Sequence, residues 1–198
     1  ARRVLALPAG LSAAHHTYGA DGRLLIEERV SLSEHRSFQR LDVANRQTLE
    51  SGSAVLSPDG RQLHFSWTSA GTTRTSVEAV DAPVVAGPSL HGTMLQHWDR
   101  LRAGEVLRVR LAVPSRLESH GFDIRLSQEA DGHTVFSATP ASWLVRLAVA
   151  PLRATFDTAT RSLVRYEGRV PPMQARDNGK LAALDARVLY TPQANGYR

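Results

Sequence analysis

Apolar and polar residues alternate along most of the chain, and turn residues cut each alternating run short. In Leu24–Leu32 the even positions are apolar except Glu28. Leu63, Phe65 and Trp67 share one face of a run whose other face is polar. Leu107, Val109, Leu111 and Val113 alternate with Arg108, Arg110 and Ala112, and Phe122, Ile124 and Leu126 with Asp123, Arg125 and Ser127. Near the end, Ala186, Val188 and Tyr190 lie opposite Arg187 and Leu189. A period of two buries one face of a strand and wets the other, as antiparallel sheets do. Asp21-Gly22, Pro58-Asp59-Gly60, Ser69-Ala70-Gly71-Thr72, Ala130-Asp131-Gly132 and Asp177-Asn178-Gly179 supply tight turns between the runs. Residues 157–161 form another, between strands expected over 143–156 and 162–169.

One segment departs from this period. From Ser89 to Arg102, Leu90, Met94, Leu95, Trp98 and Leu101 recur at helical spacing. Ser89 stands at the N-cap position, Gly104 lies just past the end, and Arg100 and Arg102 favour the C-terminal dipole. An amphipathic helix over residues 89–102 follows, its Met94–Trp98–Leu101 stripe laid on the sheet, with an extended connector at 81–88 before it. The pattern predicts a mainly β fold: a single strongly curved antiparallel sheet of about nine to eleven strands, a half-open barrel with that one helix packed in it. A small closed barrel fills its own interior and leaves no concave partner for the helix. No repeat or linker divides residues 1–198, which read as one domain with a loosely ordered leader segment at 1–14.

Composition narrows the chemistry. With 198 residues, 42% hydrophobic and 22% charged, the chain is long and apolar enough to fold around a core without staples. It has no cysteine, which excludes disulfide scaffolds, thiolate metal sites and cysteine nucleophiles. The formal charge is +5 and the pI about 10.4. Of 24 Lys and Arg only Lys180 is lysine; the arginines are spread along the chain and interleave with acids, as in Arg165-Tyr166-Glu167. Such spreading describes solvated strand faces, and no nucleic-acid partner is expected. No stretch approaches the roughly 20 apolar residues of a membrane span. The start, Ala1-Arg2-Arg3, reads as a mature chain whose signal peptide has been removed, which places it in the periplasm or outer envelope, with the cytoplasm as the alternative.

The concave face of such a half-barrel would be lined by Phe65, Trp67, Phe122, Ile124, Trp143 and Tyr166, a wall suited to an acyl chain, and the expected ligand-binding residues are Phe65, Trp67, Met94, Trp98, Phe122, Trp143 and Tyr166. The competing role for the same residues is to fill the core beneath the helix.

The order of features resembles uncharacterised proteobacterial envelope proteins of the domain-of-unknown-function type. The residues that carry the resemblance are Ser57-Pro58-Asp59-Gly60 leading into Leu63–Trp67, then Gly87-Pro88 and His97–Glu105, then Val113-Pro114-Ser115-Arg116, and Phe156-Asp157 through Leu163–Gly168. It covers roughly residues 50–170. Its architecture is similar to the lipoprotein-carrier half-barrel, which implies a lipid or lipoprotein ligand by analogy of fold. No active site comes with it.

Catalytic signals are sparse. His97 beside Asp99 could act as an acid/base pair, and Ser119, His120 and Asp123 contain the residue types of a triad, although triads are built by geometry and not by proximity in sequence. His91 and His97 do not share a helix face, and His15-His16 would point to opposite faces of a strand, so no metal site is expected. His35 and His64 read as surface residues. Glu28 interrupts an apolar face and calls for a partner, such as Arg165. No phosphate loop, metal or cofactor motif is present. The expected function is therefore non-enzymatic: an envelope protein that binds a hydrophobic small molecule, a lipid or an envelope protein. The alternatives are a hydrolase-like enzyme using His97, Asp99 or His120, and an interaction module that pairs through a sheet edge.

Overall fold

Tight turns join each strand to its spatial neighbour, so the sheets run in chain order. The computed structural model describes residues 2–6, 12–177 and 179–191. The first sheet is a seven-stranded antiparallel meander: β1 (Arg2–Ala6), β2 (Ser12–Tyr18), β3 (Leu24–Leu32), β4 (Phe38–Asn45), β5 (Glu50–Leu56), β6 (Gln62–Ser69) and β7 (Thr72–Ala79). The second also has seven strands: β8 (Val84–Val85), β9 (Leu107–Val113), β10 (Glu118–Ala130), β11 (His133–Pro140), β12 (Leu152–Asp157), β13 (Leu163–Ala175) and β14 (Leu181–Leu189). Within it only the β8–β9 pair is parallel. Residues 2–6 and 12–14, part of the expected leader, are paired strand. Residues 1 and 7–11 of that segment, and Asn178 of the expected turn, lie outside the described residues.

The mainly β class holds, but the single curved sheet does not: there are two sheets, and they are not closed into a barrel. The division falls at Asp81-Ala82-Pro83. Pro83 has no N–H to donate to a ladder, and the chain after it pairs with β9 instead of β7. The described strands number 14, above the expected range. The surplus comes from elements such as β2 and β5, whose Ala, Ser and Gly carry little apolar alternation.

The expected helix is also divided. A 3-10 turn at Gly87–Ser89 leads into α1 (Leu90–Gln96) and then α2 (Trp98–Arg102). The break is at His97, whose φ of −107° and ψ of 21° leave helical geometry. Ser89 is not a side-chain cap; its hydroxyl instead accepts the Ala86 N–H at 3.1 Å. The kink still delivers Met94, Trp98 and Leu101 to the core, where each is almost wholly buried.

Two cores result. On the second sheet, Trp98 meets Phe136 and Phe156 edge-on at 5.2 and 5.5 Å, with Met94, Leu101, Val109, Phe122 and Ile124 around them. On the first, a row of directly opposed residues, Val30, Leu41, Ala54 and Phe65, crosses the sheet. It is covered by Val84, Ala86 and Ala112 from the β8–β9 region. Polar bonds knit the sheets where their edges approach. Arg110 Nε donates to the Ser119 hydroxyl at 2.6 Å, and that hydroxyl donates to Glu78 of β7. Gln47 both donates to the Met173 carbonyl at 3.0 Å and accepts its N–H at 2.9 Å, filling the irregularity that Pro171-Pro172 leaves in β13.

Candidate functional site

The residues expected to line one concave wall or bind its ligand are shared between the two cores. Phe65 packs in the first; Met94, Trp98 and Phe122 pack in the second. Trp67 is buried in the first sheet directly opposite Gly52. Tyr166 is half-buried against the second core, and its hydroxyl donates to the Arg169 carbonyl at 2.7 Å. Trp143 is the departure. It sits not on a strand but on a short helix, α3 (Trp143–Ala148), and is 68% exposed. The strand expected over 143–156 is therefore α3 followed by β12. Apolar residues at 143, 144, 145 and 147 occupy both parities, which suits no half-buried strand, and Pro140 and Pro151 bracket the segment.

The polar groove of the structure lies elsewhere. A depression of about 510 Å³ on the outer face of the first sheet is lined by Glu27, Arg29, Arg40 and Asp42 beside the hydroxyls of Ser51, Ser53, Ser66 and Thr68. Its charges satisfy one another: Arg29 Nε donates to Glu27 at 2.6 Å, and Arg40 forks onto Asp42 with both bonds at 2.7 Å. A second depression, on the outer face of the second sheet, includes Asp131, His133 and Arg165. None of the expected wall residues borders either one.

The Arg29 hydrogen bond, with His16 at 3.5 Å adding to it, holds the Glu27 carboxyl below its ordinary range. A carboxyl lowered on folding contributes stability above its unfolded pKa, and that contribution is lost as pH falls through the folded value. Glu27→Gln should therefore lose less stability than the parent on acidification below about pH 4.5, by under about 1 kcal/mol because Arg29 is solvent-exposed. Melting temperatures of both proteins between neutral and acid pH check this; parallel curves refute it.

The catalytic candidates do not converge. Asp99 pairs with Arg161 at 3.3 Å, and Arg161 in turn lies 5.2 Å from the centre of the Trp98 ring. His97 occupies the kink between α1 and α2. On β10, Ser119 and Asp123 fall on one face and His120 on the other, because neighbouring strand residues alternate. Asp123 is held by Arg108 at 3.0 Å, while His120 faces Glu118 at 3.5 Å.

Glu28 finds its partner in an unexpected place. His15 stands directly opposite it on β2, with Nδ1 3.9 Å from Oε2, and the His91 ring lies parallel to His15 at 6.2 Å. Arg165, the partner expected from the sequence, instead lies 3.3 Å from Glu167. His15 and His16 do point to opposite faces: His15 is buried and His16 approaches Glu27. Among the described residues no group of three or more His, Asp or Glu is arranged to hold a metal ion.

What sequence reasoning missed is the α3 face. Leu144 and Leu147 are 59% and 78% exposed beside Trp143, so three large apolar side chains of one helical turn face solvent. Arg146 fixes the helix to the sheet, its Nε donating to the Pro140 carbonyl at 2.6 Å. The signal was present in the i, i+1, i+4 spacing of Trp143, Leu144 and Leu147 between two prolines. The open edge at β14 is less inviting, since Asp185 and Arg187 interrupt it and pair back to β13.

No known protein family, curated protein or solved structure matches the chain. Among the described residues no helix is long and apolar enough to cross a membrane.

Proposed function

We propose that the protein is a non-enzymatic binding protein of the cell envelope that engages an amphipathic partner from its surface, through α3. The observation that carries this reading is the exposure of Trp143, Leu144 and Leu147 together, when Trp67 and Trp98 are 5% and 1% exposed. Large apolar side chains grouped on one exposed turn mark an interaction site, whereas the other exposed ones, Leu49, Val77, Val106, Leu181 and Leu189, are scattered along the chain. The expected carrier wall is less well supported, because Phe65, Met94, Trp98 and Phe122 spend their surface on packing one another and their sheets. The hydrolase alternative draws no support from its named residues: Asp99 is paired with Arg161, and His120 faces Glu118 on the side of β10 away from Ser119 and Asp123. The envelope setting is the expectation carried by the sequence resemblance over residues 50–170.

The test is titration with a single-chain zwitterionic amphiphile, dodecylphosphocholine, below its micelle concentration. Trp143 emission should move to shorter wavelength on addition, and Leu147→Ser should weaken the response about tenfold, as expected for removing one large buried side chain. Unchanged emission in the parent, or an undiminished response in Leu147→Ser, overturns the reading.

A further inference from the structure

Trp143, Leu144 and Leu147 project from the turn of chain that joins β11 to β12, at one end of the second sheet. The charge nearest them along the chain is one-sided. Residues 132–156 contain no Asp or Glu but carry Arg146 and Arg153. Arg146 is held by the carbonyl oxygens of Pro140 and Ala141, at 2.6 and 3.3 Å, so its charge is fixed beside the apolar face without being neutralised. The 3-10 turn that carries exposed Arg116 lies at the same end of the sheet, since β10 begins there and its Gly121 carbonyl accepts the Ala141 N–H at 2.8 Å. Glu118, the acid nearest in that turn, faces His120. Arg116 and Arg146 form no ion pair among the described residues, whereas Arg153 stands directly opposite Glu167 on β13.

Tryptophan and leucine flanked by unneutralised arginine suit one environment in particular. Indole settles at the boundary between headgroups and acyl chains, leucine enters the acyl region, and guanidinium groups pair with lipid phosphates. We propose that α3 seats the protein on an anionic lipid surface, with Trp143, Leu144 and Leu147 entering the boundary region and Arg116 and Arg146 facing the phosphates. The inference rests on the reading of α3 as the binding surface and names its occupant. A protein partner would be expected to bring acids to meet these arginines and pockets to meet the three side chains; a bilayer supplies both without matching shape.

The chain carries its own reporter. It has three tryptophans, and only Trp143 is exposed, so a shift of emission on binding reads α3 and not the cores. The experiment mixes the full chain with vesicles of phosphatidylglycerol and phosphatidylcholine, and with vesicles of phosphatidylcholine alone, following emission and co-sedimentation. Anionic vesicles should shift the emission to shorter wavelength and pellet the protein, and added salt should release it. Leu144→Ser and Leu147→Ser should each weaken partitioning about tenfold. Arg116→Gln and Arg146→Gln should each weaken it severalfold on anionic vesicles. Because Leu144 and Leu147 are exposed, their variants should melt with the parent, and the two act as independent checks. Failure to bind anionic vesicles while the single-chain amphiphile still binds overturns the lipid surface alone; failure with both overturns the α3 reading as well. An emission shift that grows with protein concentration in the absence of vesicles overturns the proposal in favour of a second copy of this chain.

Discussion

Trp98→Ala should destabilise the protein by about 3–5 kcal/mol, the range for truncating a buried tryptophan. The indole is 1% exposed and holds the second core together by meeting Phe136 and Phe156 edge-on. It also joins the broken helix to the sheet, because it is the first residue of α2 and packs with Met94 of α1. Truncation leaves a void among Phe136, Phe156 and Leu101, which rigid strands on one side cannot collapse to fill. Arg161, placed over the ring and steadied by Asp99, loses its partner at the same time. Trp98→Phe should recover most of the loss, leaving about 1–2 kcal/mol. Urea unfolding followed by circular dichroism measures both variants. A loss for Trp98→Ala no greater than that of the exposed Trp143→Ala, expected within about 0.5 kcal/mol of the parent, would show that this core is not packed as described.

Gly52→Ala should be nearly as damaging, with a loss of about 3 kcal/mol. The sign is the informative part, since replacing a strand glycine by alanine ordinarily helps by restricting the unfolded chain. Here Gly52 pairs directly with Trp67, in the same cross-sheet row as His15 and Glu28. A Cβ at Gly52 would collide with the Ser66 carbonyl oxygen and stand 2.5 Å from Cε3 of Trp67. The carbonyl is backbone in a paired strand and cannot rotate away, so β5 and β6 must separate or Trp67 must leave its site. Either movement reaches the buried His15–Glu28 pair along the row. Trp67→Leu in the Gly52→Ala background should recover only the part due to the indole. Equal or greater stability for Gly52→Ala, measured by the same urea unfolding, would refute the close approach.

These two positions also show how unevenly the chain announces its structure. The alternation of Ile26, Glu28 and Val30 identified the inward face of β3, and all three are buried. Glu28 stood out because a carboxyl on that face needs a partner. Its partner, His15, lies on a strand of Ala, His and Thr with little alternation to mark it, and pairing register alone brings the two together. Gly52 is silent in a similar way. A glycine between serines reads as loop or weak strand, and only the opposed Trp67 explains it. Met94, Trp98 and Leu101 were legible as one stripe, whereas the kink at His97 was not, since no proline or glycine occupies that position. The apolar neighbours of Trp143 read as strand in the sequence, because apolar runs are shared by a buried strand and an exposed helical turn.

The sequence by itself determined the class of the protein: strands with a period of two, turns where Gly and Asp allow left-handed backbone, one helical stripe, and no cysteine chemistry. These properties are local, set by the stereochemistry of a few successive residues, and survive whatever the strands later pair with. Tertiary structure decided that there are two sheets and not one, which aromatic residues are spent on packing, and which remain on the surface. Those outcomes depend on contacts between residues far apart in the chain. An apolar side chain carries the same drive to leave water wherever it lies, so only the filled volume of each core shows that Trp67 and Trp98 have found cover and Trp143 has not.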